Sequence, residues 1–284
     1  MSQGKKVTES MLEMFQRCEF TREQWFSLKQ KCNDEGILFL STPQNQTDLD
    51  LLLDIGIPAI KVGSDDFTNL PLLKSYSRTG LPMIVSCGMA DLAEVHIALD
   101  TLGTIDGYPT VLLLCTSEYP TPPSAVNIRK LLTLSQAFPN VPLGLSDHSQ
   151  GNVASVLAVG YGACFFEKHF TLDKDLPGPD HWFSEDPDSL KQWCQSIRTS
   201  YEMLGSPVVR PTNEELKMRE IARRSIVAIK DIPEGVFLDE TYIGLRRPGS
   251  GLQPNLLPLV LSKKSSRSIE KGTLLEWSDF INGS

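Results

Sequence analysis

Two of the chain's four histidines, His148 and His169, stand at the ends of consecutive short apolar runs, residues 142–146 (PLGLS) and 163–167 (ACFFE). If those runs are neighbouring strands, both imidazoles project from one edge of a sheet a few ångströms apart. Two imidazoles aimed at one point, with coordination positions left open for water or substrate, make a divalent-metal site. A hydrogen-bonded histidine pair without metal satisfies the same spacing. His96 falls inside the helical stretch 91–102, where packing is its natural reading. His181 falls in the loop DKDLPGPDHWF, whose Asp180 suits the hydroxyls of a polyol or caps a turn.

Other apolar runs end on groups that bind anions. In order these ends are Ser41-Thr42-Pro43, Lys61 with Ser64 and Asp66, Ser86-Cys87-Gly88-Met89, Thr116-Ser117-Glu118-Tyr119, Ser146-Asp147-His148 and Glu167-Lys168-His169. Hydroxyls, loop amides and two ammonium groups converging on one mouth suit a phosphate oxyanion. Helix capping is the competing explanation for each Ser or Thr taken singly.

The elements that must position these groups repeat one rhythm from residue 37 to about 205. Short apolar runs at 37–41, 59–63, 82–86, 110–115, 142–146 and 163–167 start 21 to 32 residues apart, the spacing of βα units in a parallel sheet. The runs are continuous rather than alternating, as in strands buried on both faces. Helical stretches fall between them at 47–53, 91–102, 126–138 and 187–204. This pattern predicts an α/β fold, a (β/α)8 barrel of the TIM type, with function at the C-terminal ends of its strands. Six strands are visible where closure needs eight. Residues 8–17 and 21–33 read as helices with no strand before them, so the barrel is expected to lack its first two strands.

After residue 205 the character changes. Residues 206–224 are rich in proline and charge and read as a linker ending in a basic helix. Residues 225–284 hold short strand-like runs, with the turn signatures IPEG and IEKG, and predict a small, mostly β domain. The barrel domain is then residues 1–205. Composition agrees with a globular chain: 40% apolar and 22% charged residues, with a net charge of −8 that argues against nucleic-acid or anionic-membrane binding. Six scattered cysteines without a CxxC pair, and no apolar leader or span, predict reduced thiols in a soluble cytoplasmic protein.

The segments VNIRKLLTL, GLSDHSQG, EKHFTLDKDLPGPDHWFSEDP, IARRSIVA and RRPGSGL together closely resemble the N-acetylneuraminate (sialic acid) synthase family, which includes legionaminate and pseudaminate synthases and a spore-coat polysaccharide protein. The resemblance covers about residues 8–280. It implies a (β/α)8 barrel followed by an antifreeze-like (SAF) domain. It implies a transferase that condenses phosphoenolpyruvate with an N-acylated aldose, most simply N-acetylmannosamine, to give a nonulosonate and phosphate. By matching motif, His148 and His169 would ligate Mn2+, with Mg2+ or Co2+ as alternatives. Thr42, Lys61, Ser64, Ser86, Ser117 and Ser146 would hold phosphoenolpyruvate, and Asp66, Tyr119 and Asp180 would contact the sugar. Arg247 would reach the sugar from the small domain of the partner subunit in a homodimer.

The departures are specific. The family's EIG-N-H and K-x-Q segments, carried on its first two strands, do not occur here. VGSDD replaces the commoner G-S-G-E, and Ser117 stands where some members have Asn. The competing expectation is a catalytically impaired relic that binds phosphoenolpyruvate, a sugar or a partner subunit.

Overall fold

The computed structural model describes residues 10–281. The chain divides into two compact units, with the boundary after Gly205.

The first unit begins with the helices α1 (Met11–Cys18), α2 (Arg22–Asp34) and α3 (Gln46–Ile55). The βα alternation follows: β1 (Ile60–Val62), α4 (Leu70–Ser77), β2 (Met83–Ser86), α5 (Leu92–Leu102) and β3 (Thr110–Cys115). It continues with α6 (Pro123–Val126), α7 (Lys130–Ala137), β4 (Leu143–Asp147), α8 (Val153–Gly160), β5 (Phe165–Lys168) and α9 (Pro187–Leu204). Among the described residues the five strands form one parallel sheet in the order β1-β2-β3-β4-β5. The sheet is an open half-barrel, not a closed one.

Its strands are where the continuous apolar runs stand, because helices cover one face and side chains fill the other. Ile60, Met83, Leu112 and Leu113 are fully buried. Each such side chain contributes about 1.5–3 kcal/mol by leaving water. The helix boundaries follow from capping groups. Asp91 and Glu94 form a reciprocal capping box that starts α5, and Gly103, at φ 80°, ends it in a left-handed conformation. Asp186 caps α9, with Pro187 in its first turn.

Two expectations are corrected. Residues 37–41 do not form a strand; their one backbone bond to the sheet is Lys61 N–H to the Ser41 carbonyl at 3.4 Å. Ile37 and Leu38 are exposed, so this run lies at the sheet edge without the second neighbour that would bury it. The helix expected over 126–138 is two helices, because Asn127 adopts φ 49° and interrupts the ladder. Of the stretch read as a helix at 8–17, Thr8 and Glu9 lie outside the described residues.

The second unit opens with α10 (Asn213–Ala222), started by a Thr212–Glu215 capping box inside the stretch read as a linker. The strands β6 (Ser225–Ala228) and β7 (Ile243–Arg246) pair antiparallel. Isolated bridges, rather than long strands, complete the β structure, and a short helix α11 (Leu257–Val260) packs beside it. The two turn signatures meet: Ile232 of IPEG and Ile269 of IEKG exchange both backbone hydrogen bonds, at 2.8 and 2.9 Å. Gly235 and Gly272, three residues after each isoleucine, have φ 78° and 93°, which a side chain would strain. Ile226, Ile232, Leu238, Ile243, Val260, Ile269 and Leu275 form the core of this unit.

Candidate active site

At the C-terminal ends of β1–β5 lies a cavity of about 510 Å³. Strand alternation explains its lining. Residues two apart share a face, so Ser146 and His148 point inward from β4, as do Glu167 and His169 from β5. Lys61 of β1 and Ser86 of β2 complete the floor.

The Lys61 ammonium is buried and donates to Ser86 Oγ at 2.8 Å and to the Val62 carbonyl at 2.9 Å. It lies 3.4 Å from Glu167 Oε2, and Ser146 Oγ donates to Glu167 Oε1 at 2.6 Å. Above this floor three loops converge. Ser64 Oγ accepts from the Gly88 amide at 2.9 Å. A Cβ at Gly88 would lie 2.5 Å from Ser117 Oγ and 2.6 Å from Ser64 Oγ, so a side chain there would displace both hydroxyls. Among the described residues, Ser117 Oγ is the buried side-chain polar atom with no hydrogen-bond partner. Leaving a buried hydroxyl unpaired costs about 1–3 kcal/mol, which marks it as a group awaiting a ligand acceptor or donor.

The two histidines sit together, ring centroids 5.2 Å apart and planes at 77°. His148 Nδ1 is 2.9 Å from the Thr116 carbonyl, which makes Nδ1 the protonated nitrogen and leaves Nε2 its lone pair. His169 Nδ1 faces Asp180 Oδ2 at 3.6 Å. The Tyr119 ring lies 4.2 Å from that of His148 and 5.8 Å from that of His169. Burial, the largest influence on His148, pulls its pKa down. The Cys115 thiol and the Thr116 carbonyl outweigh that and leave it raised. Burial and then the neighbouring His148 lower the pKa of His169. For Cys115, burial raises the thiol, but hydrogen bonds with His148 and Ser64 outweigh it and the net shift is downward.

This donor set fits an open metal site rather than a closed cage. Two neighbouring imidazoles, His148 with Nδ1 bonded to a carbonyl and His169 with Nδ1 facing a carboxylate, can offer two nitrogens and leave other positions free. Among the described residues no cluster of three or more His, Cys, Asp or Glu has metal-holding geometry.

Of the residues singled out in the sequence, Lys61, Ser64, Ser86, Ser117, Tyr119, Ser146, His148 and His169 line this one cavity. Asp180 joins them through His169. Thr42 and Asp66 do not line it. Asp66 accepts from the Asn69 side chain at 3.0 Å, ahead of α4, and Asp65 takes the lining place. Arg247 is exposed in the second unit, in the turn after β7. Lys168, counted in the sequence among groups at the mouth, points to the opposite face, where its ammonium lies 3.0 Å from Asp147 Oδ2. Glu167 and Cys115 line the cavity and were given no role in the sequence. The signal for Glu167 was its spacing two residues before His169.

Comparison with known proteins places these features. The NeuB family model matches residues 1–209, and the SAF domain model matches residues 223–281. The chain belongs to the NeuB family. It is 38% identical over 274 residues to an N,N'-diacetyllegionaminic acid synthase from Legionella pneumophila, covering 95% of this chain and 77% of that one. It is 32% identical over 262 residues to the human N-acetylneuraminate-9-phosphate synthase, covering 91% and 72% of the two chains. The crystal structure of the N-acetylneuraminic acid synthetase from Leptospira borgpetersenii in complex with citrate is also similar. It superposes with a TM-score of 0.69 at 31% identity, over 73% of this chain and 72% of that one. Among the described residues of this NeuB-family chain no helix is long and apolar enough to cross a membrane.

Proposed function

We propose that this NeuB-family chain is a nonulosonate synthase, condensing phosphoenolpyruvate with an N-acylated aldose and releasing phosphate, for glycan biosynthesis. The observation that carries the reading is the convergence of the His148–His169 pair with Lys61, Ser86 and the unpartnered Ser117 hydroxyl on one cavity. Lys61, Ser86, Ser117 and Ser146 supply the ammonium and hydroxyl donors for the phosphate and carboxylate of phosphoenolpyruvate. Ser64 and the Gly88 backbone hold the loop crossing that shapes this cradle.

His148 and His169 would hold a divalent ion, Mn2+ before Mg2+ or Co2+. When bound, it supplies Lewis acidity toward the sugar's aldehyde oxygen. Tyr119 and Asp180, against the histidine pair, and Asp65 at the rim would orient the sugar chain. In the reaction the enol π pair forms a bond from C3 to the aldehyde carbon. The aldehyde C=O π pair moves to its oxygen, which takes a proton from water, and positive charge is left at C2. Water then adds at C2 and gives up a proton, for which the Glu167 carboxylate is the acceptor nearest the phosphate donors. Phosphate leaves with the electron pair of the C2–O bond. Fixed donors aimed at the developing charges carry the catalysis, so the acidic net charge does not oppose it.

We further propose a cytoplasmic homodimer in which Arg247 of the SAF domain reaches the sugar in the partner subunit's site. One observation favours a second reading. The open five-stranded sheet leaves the cavity without a full ring of strands, so the chain could bind phosphoenolpyruvate without turning it over. The test is phosphate release from phosphoenolpyruvate and N-acetylmannosamine, or a diacetylated 6-deoxy sugar, with Mn2+ present. Turnover abolished by His148→Ala supports the synthase. Binding of phosphoenolpyruvate without release from any sugar supports the second reading.

A further inference from the structure

Behind the cavity, on the outer face of β4 and β5, lies a buried polar cluster that the condensation does not use. Lys168, Asp147 and Glu185 have side chains only 3%, 1% and 5% exposed. Asp147 and Lys168 stand directly opposite each other in the β4–β5 register. The Lys168 ammonium bonds Asp147 Oδ2 at 3.0 Å, the Gly151 carbonyl at 3.0 Å and the Ser149 carbonyl, and lies 3.8 Å from Glu185 Oε1. Asp147 accepts from the Ser149 amide at 2.9 Å, from Ser149 Oγ at 2.6 Å and from Ser155 Oγ at 2.7 Å. Trp193 Nε1 in turn donates to Ser155 Oγ at 2.9 Å. Glu185 accepts from the Gly151 amide at 3.0 Å, and its own amide donates to the His169 carbonyl at 2.9 Å.

Several arms of this cluster reach the chain beside the two histidines. Asp147 and Ser149 flank His148 in sequence. Lys168 precedes His169, and the backbone amide of Glu185, whose carboxylate accepts from Gly151, donates to the His169 carbonyl. A buried ion pair is weak evidence for stability, since its desolvation offsets its attraction. Its geometry, however, is narrowly defined, and a fully satisfied network restrains the groups it touches. We propose that Asp147, Lys168 and Glu185 are positioning residues, a buried clamp that holds His148 and His169 at the separation needed to share one ligand. This rests on the reading of those histidines as the metal pair.

The test uses the full chain, with Asp147→Asn and Lys168→Met as variants. Val95→Ala, a core truncation in α5 remote from the clamp, serves as the stability control. Two quantities are read on folded protein. One is the nuclear cross-relaxation contact between the two imidazoles in metal-free, histidine-labelled protein. The other is the affinity for Mn2+ alone. The clamp variants are expected to lose the inter-ring contact and to weaken Mn2+ binding about ten-fold or more. Val95→Ala should lower the melting temperature and change neither quantity.

An inter-ring contact that persists in both folded clamp variants overturns the proposal. Absence of Mn2+ binding by the unsubstituted chain removes the metal reading alone, and the inter-ring contact still decides whether the clamp positions the rings. If Asp147→Asn does not fold, Glu185→Leu, which removes the carboxylate that accepts from Gly151 and faces Lys168, replaces it under the same criterion.

Discussion

Ser117 separates stability from function within one atom. Its buried Oγ has no partner in the free protein, so Ser117→Ala removes a desolvated polar group without opening a sizeable cavity. The variant should melt at a higher temperature, by up to about 1 kcal/mol of added stability, and bind phosphoenolpyruvate about ten-fold more weakly. Calorimetry on the two proteins, with and without the ligand, checks both signs; a destabilised variant would mean that the hydroxyl is already satisfied. The cysteines divide by environment in a similar way. Burial, followed by the neighbouring Cys115, pushes the Cys87 thiol up to about 12, whereas Cys18 and Cys164 are exposed. A thiol reagent at pH 8 should therefore modify Cys18 and Cys164 quickly and Cys87 only on unfolding, as peptide mapping by mass spectrometry would reveal.

At the scale of elements, the buried contact between α4 and the segment before α3 makes a pH-dependent joint. The Tyr76 hydroxyl donates to the Pro43 carbonyl at 2.9 Å, and burial, then the charges of Asp66 and Asp48, raise its pKa to about 12. An unfolded tyrosine ionises near 10. The folded state thus keeps its proton where the unfolded state loses it. The stabilisation is complete below pH 10 and declines as pH rises from about 10 to about 12. Tyr76→Phe should lower stability at neutral pH by about 1 kcal/mol and flatten this alkaline decline, as urea titrations across that range would measure.

The same scale shows what could be read from residues in order. Continuous apolar runs located β1 to β5 within two residues because burial on both faces selects such runs directly. Residues 37–41 carry the same composition but remain outside the sheet, since a strand is defined by its neighbours and this run has one. Helix α9 was legible to the residue because Asp186 and Pro187 mark its start. Within the site, the histidines and hydroxyls stood out by type. Glu167 and the inverted direction of Lys168 depended on strand parity, which composition does not carry. The choice of Asp65 over Asp66 was set by Asn69, which binds Asp66 from the following turn.

At the scale of the whole molecule, the sheet of the first unit is open among the described residues, and part of the cavity's lining is exposed. Tyr119, Met89 and the Glu167 carboxylate are all partly exposed although Lys61 beneath them is not. The full sequence carries a net charge of −8. Attraction of a phosphorylated substrate therefore operates through water, against a distant negative background and a near positive floor, and mobile ions enter both. Between about 0.01 M and about 1 M salt the screening length shrinks from about 30 to about 3 Å. Moderate salt should first remove the long-range repulsion and speed association, and high salt should then weaken the short-range hold of Lys61. Stopped-flow binding of phosphoenolpyruvate across an ionic-strength series should trace a maximum in affinity, whereas a water-excluded site would give a line of one sign. An exposed rim over a buried ammonium thus makes the ionic strength of the medium a regulator of substrate capture.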